Sequence, residues 1–218
     1  MNEQELRSAL RVYLVADPEQ CFGDFLTQVE DGLRGGVTMV QLRAKNLTDR
    51  GLYTTAIDIR DLCRKYDAAF LVNDRVDVAL AVGADGVHLG VDDLPIEAAR
   101  ELVPPGFVIG FSPDTNDLAA RAKARGVDYL GVGPVYETQT KADAGPEIGV
   151  QLLAKRVQIS GLPVIGIGGI TAEKTAPVIE AGACGVAVIS AILKAGDARI
   201  AASRLRAAVD ETLNASHA

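Results

Sequence analysis

The sequence contains few of the residues that build metal clusters and redox centres. Among its 218 residues are three cysteines and two histidines. Cys21, Cys63 and Cys184 lie far apart and lack the Cys-x-x-Cys spacing of zinc and thiol-redox sites. We therefore expect reduced and mostly buried thiols. Two histidines, His88 and His217, are too few for a multi-histidine metal site, and His217 falls in a polar tail.

Long apolar runs and excess positive charge are also missing. No run approaches the roughly 18 apolar residues that cross a membrane, and the first residues lack the basic-then-apolar order of a signal peptide. We therefore expect a cytoplasmic protein with no membrane partner. The net charge of −7 disfavours a nucleic-acid partner. The sequence does not indicate an oligomeric state.

Short aliphatic runs alternate with longer amphipathic segments along the whole chain. The runs are rich in Val, Ile and Leu, which is typical of parallel strands buried on both faces. From residue 15 to residue 188 they recur in steps of about 25 residues, which is room for a strand, a loop and a helix. The runs cover residues 12–15, 39–42, 69–72, 86–89, 108–111, 129–132, 164–167 and 185–188.

The segments between the runs carry helix signals. Thr48 and Thr171 are candidate N-caps. After Thr48, apolar residues follow at helical spacing: Leu52, Ala56, Ile59, Leu62 and Cys63. Glycines stand where helices are expected to end: Gly35, Gly83, Gly126, Gly161 and Gly182.

Eight such units predict an α/β fold, a single-domain (β/α)8 TIM barrel. The predicted domain spans residues 1–218, with a barrel core of about 11–212 and short flexible termini. A doubly wound open sheet is the alternative. The Gly-x-Gly-x-x-Gly signature of dinucleotide binding does not follow the first strand.

Polar side chains follow most of the predicted strands, at positions that share one mouth in a barrel. Gln41 and Arg43 have the same parity on their strand, so both are expected to point inward, and Lys45 follows. A charged residue at a strand end is often only a solvated loop residue; the coincidence over many strands points to a site. The other members are Asn73, Asp74, Arg75, His88, Gly90, Asp92, Asp93, Ser112, Thr138, Thr140, Lys141, Gly166, Gly168, Gly169, Ile189 and Ser190.

Two segments suit phosphate. Residues 131–145 combine glycines with Thr138, Thr140 and Lys141, which favours a phosphorylated small molecule over a plain flexible connection. The glycine run that ends at Gly169 leads into an expected helix at Thr171 after strand seven, and Ile189-Ser190 similarly follows strand eight. Barrels commonly bind phosphate through backbone N–H groups at such helix starts. The alternative is that these glycines only permit tight turns.

Asp74 and Asp93 are the candidate magnesium ligands. Mg²⁺ is typically held by one or two carboxylates together with substrate phosphates, and three cationic residues are expected nearby: Arg43, Lys45 and Lys141. Asp92 competes with Asp93, and spacing alone does not choose between them. Plain salt bridges of Asp74 with Arg75 or Arg43 are the alternative.

His88 has two open interpretations. Its unperturbed pKa near neutrality suits proton transfer. Equally, a histidine at a strand end can simply hydrogen-bond a neighbouring loop.

Taken together and in order, these motifs resemble the thiamine phosphate synthase family over nearly the whole chain. The residues that carry the resemblance are Gln41-Leu-Arg-Ala-Lys45, Asn73-Asp-Arg75, Gly86-Val-His-Leu-Gly90, Ser112, Gly133-Pro-Val-Tyr-Glu-Thr-Gln-Thr-Lys141, Ile167-Gly-Gly-Ile170 and Val188-Ile-Ser-Ala-Ile192.

The resemblance implies an enzyme that transfers a pyrimidinylmethyl group with diphosphate as leaving group. The substrates would be 4-amino-2-methyl-5-pyrimidinylmethyl diphosphate and the phosphorylated hydroxyethylthiazole. It implies Mg²⁺ as cofactor, on Asp74 and Asp93. The implied pyrimidine diphosphate contacts are Gln41, Arg43, Lys45, Asn73, Ser112 and Lys141, of which Arg43, Lys45, Ser112 and Lys141 are the expected catalytic residues. The implied thiazole phosphate contacts are Thr138, Gln139, Thr140, Gly169, Ile189 and Ser190.

The chain departs from the family's usual Gly-Gln-x-Asp pattern after the histidine. Val91 replaces the glutamine and offers no side-chain hydrogen bond to a metal ligand, whereas Asp93 is kept and is therefore preferred to Asp92. The rival hypotheses are a thiazole tautomerase, in which His88 would transfer protons, and a non-catalytic sensor of thiazole phosphate. Residues 136–149 exceed the usual loop length and are a candidate lid.

Overall fold

Eight parallel strands form a closed barrel in the computed structural model, which describes residues 1–138, 140 and 145–215. The strands pair in chain order, and β8 returns to pair with β1. The predicted TIM barrel is confirmed, and the open sheet is wrong. The strands are β1 Val12–Ala16, β2 Met39–Leu42, β3 Ala69–Asn73, β4 Gly86–Leu89, β5 Val108–Phe111, β6 Tyr129–Val132, β7 Val164–Ile167 and β8 Gly185–Val188.

Helices surround the barrel, and α1 precedes the first strand. Within the described residues, short 3₁₀ turns at Pro18–Gln20, Lys123–Arg125 and Ala172–Lys174 lie between the regular elements. The helices are α1 Glu3–Ala9, α2 Phe25–Arg34, α3 Asp49–Lys65, α4 Val76–Val82, α5 Ile96–Leu102, α6 Asn116–Arg121, α7 Gly149–Ser160, α8 Thr175–Glu180, α9 Ser190–Leu193 and α10 Ala198–Ala215.

The strands coincide with the aliphatic runs because both of their faces are buried. One face packs inside the barrel and the other packs against the helices, so no polar alternation is needed. Nearly every strand residue is buried. Only β1 and β3 extend one residue beyond their runs, at Ala16 and Asn73. One hydrophobic cluster connects the strands with the inner helix faces.

Helix α3 forms as its sequence pattern predicts. The Thr48 hydroxyl accepts a hydrogen bond from the Gly51 N–H, and the apolar side of the helix is buried against the barrel. All three cysteines are free thiols, of which Cys63 and Cys184 are buried. None of the helices in the described ranges is both long and apolar enough to span a bilayer.

The expected helix start at Thr171 is wrong. A 3₁₀ turn occupies Ala172–Lys174, and α8 begins only at Thr175. The Thr171 hydroxyl donates to Glu173 at 2.7 Å instead of capping the backbone, and its carbonyl accepts from the Thr175 hydroxyl at 2.9 Å. Local side-chain hydrogen bonds of this kind compete with the first helical turn.

Candidate active site

A cavity of about 580 Å³ opens at the carboxyl ends of the strands, within the usual size range of small-molecule sites. The structure brings most of the predicted residues of the described segments together around it. Arg75 and Gly166 are exceptions: neither lines the cavity, and Arg75 pairs with Asp49 and Asp77 and not with Asp74. Gln139 and Lys141 lie outside the described residues, as does part of the candidate lid. The predicted residues that line the cavity are Gln41, Arg43, Lys45, Asn73, Asp74, Asp93, Ser112, Thr138, Thr140, Gly169, Ile189 and Ser190.

Two carboxyl groups meet on the side of the cavity built by β3 and β4. The Asp74 side chain is hydrogen-bonded to that of Asp93. Partial burial raises the pKa of Asp74 to about 6, and the hydrogen bond to Asp93 and the negative charge of Asp93 add to this rise. The positive charges of Lys45 and Arg43 oppose it. Asp92 is exposed, whereas Asp93 is partly buried, so the geometry favours Asp93 as the partner of Asp74.

The backbone explains why these two side chains meet. Asp74 has a left-handed conformation with φ of 62°, which aspartate tolerates better than most residues. Its N–H donates to the His88 carbonyl at 2.9 Å, so it lies over the end of β4. Asp93 accepts from the Gly90 N–H at 2.6 Å, which folds the loop after β4 back toward β3.

Arg43 is held by a buried ion pair that the sequence did not reveal. Its Nη1 lies 2.7 Å from Oδ2 of Asp17, and the two side chains are 13% and 5% exposed. Asp17 is fixed in turn by accepting from the Glu19 N–H at 3.0 Å. Among the described residues no group of three or more carboxylates, histidines and cysteines is placed to hold a metal.

The opposite side of the cavity is built from glycines and hydroxyls. Gly168 and Gly169 have φ of 96° and 64°, and a Cβ on either would overlap the segment after β6, at Pro134 or at the Glu137 carbonyl. Both the backbone conformation and the close approach therefore require glycine.

The hydroxyls of this side come from the segment after β6 and from α9. Thr140 Oγ1 lies 3.1 Å from Ser190 Oγ, and the Thr140 N–H donates to Thr138 Oγ1 at 3.3 Å. Ile189 is the N-cap residue of α9, and the first N–H groups of a helix have no intrahelical acceptor. The carboxylate side of the cavity thus comes from β2 to β4, and the glycine and hydroxyl side from β6 to β8.

A chain of hydrogen bonds connects residues of the cavity wall. Gln41 Nε2 donates to the Tyr13 hydroxyl at 2.6 Å, which lies 2.8 Å from the Tyr129 hydroxyl. Tyr129 contacts His88 Nδ1 at 2.8 Å, and His88 Nε2 contacts Ser112 Oγ at 2.8 Å. Burial raises the pKa of both tyrosines, so both hydroxyls keep their hydrogens.

Sequence reasoning missed Tyr13, Tyr129, Asp17 and Arg156. Both tyrosines lie inside aliphatic runs and were interpreted as core; a hydroxyl inside an otherwise apolar barrel strand is the signal that could have found them. Arg156 is buried on α7 and donates to the carbonyls of Pro113 and Asp114 at 2.9 and 2.6 Å. It thereby ties down the segment that follows Ser112.

The fold and the cavity define the class of protein: a TIM barrel whose polar groups, suited to phosphorylated ligands, gather at one mouth. The sequence model of the family described as thiamine monophosphate synthase matches residues 12–192. The thiamine-phosphate synthase of Methanospirillum hungatei is 48% identical over 187 residues, covering 85% of this chain and 91% of the relative. That of Pyrococcus furiosus is 44% identical over 212 residues, covering 95% and 99%.

A solved structure agrees with these sequence relatives. The thiamine phosphate pyrophosphorylase from Pyrococcus furiosus superposes with a TM-score of 0.88 at 42% identity, covering 95% of this chain and 99% of that chain. The chain belongs to the thiamine monophosphate synthase family.

Proposed function

We propose that this protein is a thiamine phosphate synthase, a transferase that couples 4-amino-2-methyl-5-pyrimidinylmethyl diphosphate to 4-methyl-5-(2-phosphoethyl)thiazole and releases diphosphate. One observation carries the proposal: a single cavity presents Arg43, Lys45 and a carboxyl pair on one side, and a glycine and hydroxyl cradle on the other. Two differently built anion sites facing each other suit two phosphorylated substrates that must react together.

The carboxylate side is proposed to take the diphosphate with Mg²⁺. The donor set fits this ion: two carboxyl groups in contact, one with a raised pKa, are costly without a cation, and Mg²⁺ commonly uses one or two carboxylates plus phosphate oxygens. Asp74 and Asp93 would hold it. When bound, Mg²⁺ supplies a Lewis acid that neutralises charge on the leaving diphosphate.

Arg43 and Lys45, with Lys141 and Ser112, are the proposed catalytic groups of the protein. Negative charge grows on the diphosphate as its carbon–oxygen bond breaks, so cations beside it stabilise the transition state more than the ground state. Asp17 holds Arg43 in place for this task at 2.7 Å. Gln41 and Asn73 are proposed to contact the same substrate.

The carbon–oxygen bond to the diphosphate is proposed to break before the new carbon–nitrogen bond to the thiazole forms. The aminopyrimidine can delocalise the positive charge left on its methylene carbon, and the thiazole nitrogen then attacks that carbon. No protein nucleophile is required, because the two substrates are held within reach of each other. An electron-withdrawing substituent on the pyrimidine should therefore slow turnover; unchanged turnover, with chemistry rate-limiting, would argue against this order.

The cradle is proposed to bind the thiazole phosphate. Thr138, Thr140 and Ser190 can donate hydroxyl hydrogens. Backbone N–H groups can donate from the glycine turn at Gly169 and from the start of α9 after Ile189. Gln139 is assigned here by family resemblance only.

The test is thiamine phosphate formation from the two purified substrates, with and without Mg²⁺. Product that requires Mg²⁺ is the expected result. Absence of product, with thiazole phosphate still bound in calorimetry, would contradict the synthase and favour a tautomerase or a sensor. Product formed equally well after a chelator removes divalent cations would support the synthase activity but contradict the proposed requirement for Mg²⁺.

A further inference from the structure

The hydrogen-bond chain Gln41–Tyr13–Tyr129–His88–Ser112 lies along the cavity, and each of its members except Tyr129 lines it. Its two tyrosines are nevertheless almost fully buried, because Tyr13 is 1% and Tyr129 0% exposed. The proposed reaction uses the two ends of the chain and leaves Tyr13, Tyr129 and His88 without a role. These three residues lie in β1, β6 and β4, so the chain crosses the interior of the barrel.

The direction of each hydrogen bond follows from the first one. Gln41 donates its amide N–H to Tyr13, so the hydrogen of Tyr13 is available for Tyr129. If every hydroxyl donates along the chain, the hydrogen of Tyr129 goes to His88 Nδ1, and that nitrogen accepts. A buried hydroxyl that donated to nothing would be costly.

The last bond is fixed in the same way. A neutral ring that accepts at Nδ1 carries its proton on Nε2 and donates it to Ser112 Oγ. Ser112 then accepts from the ring and keeps its own hydrogen for a bound oxygen. At the other end, the amide nitrogen of Gln41 faces Tyr13, so its carbonyl oxygen is the group presented to a ligand.

We propose that Tyr13, Tyr129 and His88 are positioning residues that set the hydrogen-bond polarity of both ends of the cavity together. Toward a bound ligand, Gln41 is thereby held as a hydrogen-bond acceptor and Ser112 as a hydrogen-bond donor. Turning the Gln41 amide by half a turn would reverse the direction of every hydrogen bond in the chain. Ser112 would then donate its hydrogen to His88 and have none left for a ligand.

The polarity defines the ligand that fits: a hydrogen-bond donor against Gln41 and an anionic or carbonyl oxygen against Ser112. This part of the inference rests on the proposed function, in which the amino group of the pyrimidine would be the donor and the diphosphate the anion. A 4-oxo pyrimidine would place its oxygen against the carbonyl oxygen of Gln41, so two acceptors would face each other. The hydrogen-bond chain would prevent the Gln41 amide from turning to accommodate it.

Packing around the chain leaves little freedom for other arrangements. A Cβ on Gly110 would overlap the phenol of Tyr129, and a Cβ on Gly131 would come within 3.1 Å of His88 Cε1. The two rings therefore occupy space that glycines in β5 and β6 leave for them. Their centroids lie 5.5 Å apart with a tilt of 42°.

The first experiment reads the His88 tautomer by nitrogen-15 NMR and does not depend on the reaction. The chain has two histidines, so His217→Gln leaves a single imidazole signal. At about pH 8, above the ordinary histidine pKa of about 6.5, we expect the form protonated on Nε2. Tyr129→Phe should give a mixture of tautomers, and Tyr66→Phe, which removes a hydroxyl bonded to Glu30 on the outer helices, should not.

A His88 ring protonated on Nδ1 in the wild type, or a tautomer unchanged by Tyr129→Phe, overturns the proposed polarity of the hydrogen-bond chain. If Tyr129→Phe does not fold, Tyr13→Phe removes the neighbouring hydroxyl and carries the same expectation.

The second experiment measures ligand selectivity by calorimetry with two pyrimidine alcohols, the 4-amino compound and its 4-oxo counterpart. We expect the wild type to prefer the amino compound at least about tenfold. Tyr129→Phe should reduce the preference below about threefold by freeing the amide to turn, while Tyr66→Phe keeps it. Selectivity retained in Tyr129→Phe overturns the proposal, whereas a wild type that forms no thiamine phosphate overturns the proposed function instead.

Discussion

At the residue scale, two neighbouring aspartates have different surroundings. Asp93 is partly buried and hydrogen-bonded to Asp74, whereas Asp92 is exposed. Sequence spacing alone could not separate the two. The family resemblance favours Asp93 as the proposed metal ligand, and the geometry places Asp93, not Asp92, against Asp74. The difference makes Asp92 a matched control for its neighbour.

We expect Asp93→Asn to reduce Mg²⁺-dependent coupling at least about a hundredfold, equivalent to about 2.7 kcal/mol of activation free energy. An amide keeps the shape and the hydrogen bonding but removes the negative charge that a cation needs. Asp92→Asn should stay within about threefold. Steady-state rates at saturating substrates and varied Mg²⁺ check this, and equal losses in both variants would contradict the ligand assignment.

Asp17 and Arg43 form a second testable pair. Asp17→Asn removes the buried carboxylate charge that pairs with the Arg43 guanidinium. Breaking a buried ion pair is unfavourable and loosens the position of Arg43 in the cavity. We expect KM for the pyrimidine diphosphate to rise about tenfold, with a smaller change in kcat.

The control for this prediction is Glu97→Gln. Glu97 pairs with Arg125 at 2.6 Å on the outer surface, where ion pairs contribute little, so KM should not change. A rise in KM of the same size in both variants would mean that general destabilisation, and not the position of Arg43, is responsible.

At the element scale, strand β5 is shaped to fit its neighbour β6. Gly110 pairs with Tyr129 in the sheet, and the missing side chain at position 110 leaves the space for the phenol ring. A glycine in a buried strand normally weakens it. Here the loss is offset by the packing and hydrogen bonding of the ring that fills the space.

We expect Gly110→Ala to lower the free energy of unfolding by about 2–3 kcal/mol, because the new methyl group overlaps a buried ring that cannot leave. Urea unfolding measures the change. Gly196→Ala is the control, since a Cβ at that position meets no atom within 4 Å, and it should change stability by less than about 0.5 kcal/mol. Similar midpoints for both variants would show that the ring can move aside.

Most strands and helices could be predicted from the sequence, but some helix starts could not. The strands were predictable because burial on both faces leaves an uninterrupted aliphatic run, as in 164–167. Helix α3 was predictable from its Thr48 cap and its periodicity. The start of α8 was not, because Thr171 has a local acceptor in Glu173.

The site was predictable as a set of strand-end residues but not as a network. Tyr13 and Tyr129 are separated by 116 residues in sequence, and nothing local in either strand indicates that their hydroxyls meet. The pairing of Asp17 with Arg43 likewise depends on the neighbouring positions of β1 and β2.

At the scale of the whole molecule, a ligand that binds only the folded barrel should stabilise it. The chain carries a net charge of −7, so the protein as a whole repels inorganic diphosphate. Under the proposed function, diphosphate binding depends on Arg43 and Lys45 at the carboxylate side of the cavity. Mg²⁺ would reduce that repulsion locally.

We expect Mg²⁺ and inorganic diphosphate together, at about a hundred times their Kd, to stabilise the fold by about 2.7 kcal/mol. That corresponds to a rise in Tm of roughly 5–10 °C for a chain of this size. Either component alone should give a much smaller shift, and Asp93→Asn should abolish the combined one. Differential scanning calorimetry measures it; an undiminished shift in Asp93→Asn would count against the proposed metal site.

The carboxyl pair and the cations Arg43 and Lys45 come from β2 to β4, whereas the cradle comes from β6 to β8. The two halves of the chain are nevertheless not interchangeable parts. Lys141, proposed for the diphosphate, follows β6, and Tyr129 of β6 belongs to the hydrogen-bond chain that reaches Gln41. A recombinant barrel that takes its second half from a relative would therefore keep the leaving-group chemistry only if that half also supplies a lysine and a tyrosine at these two places.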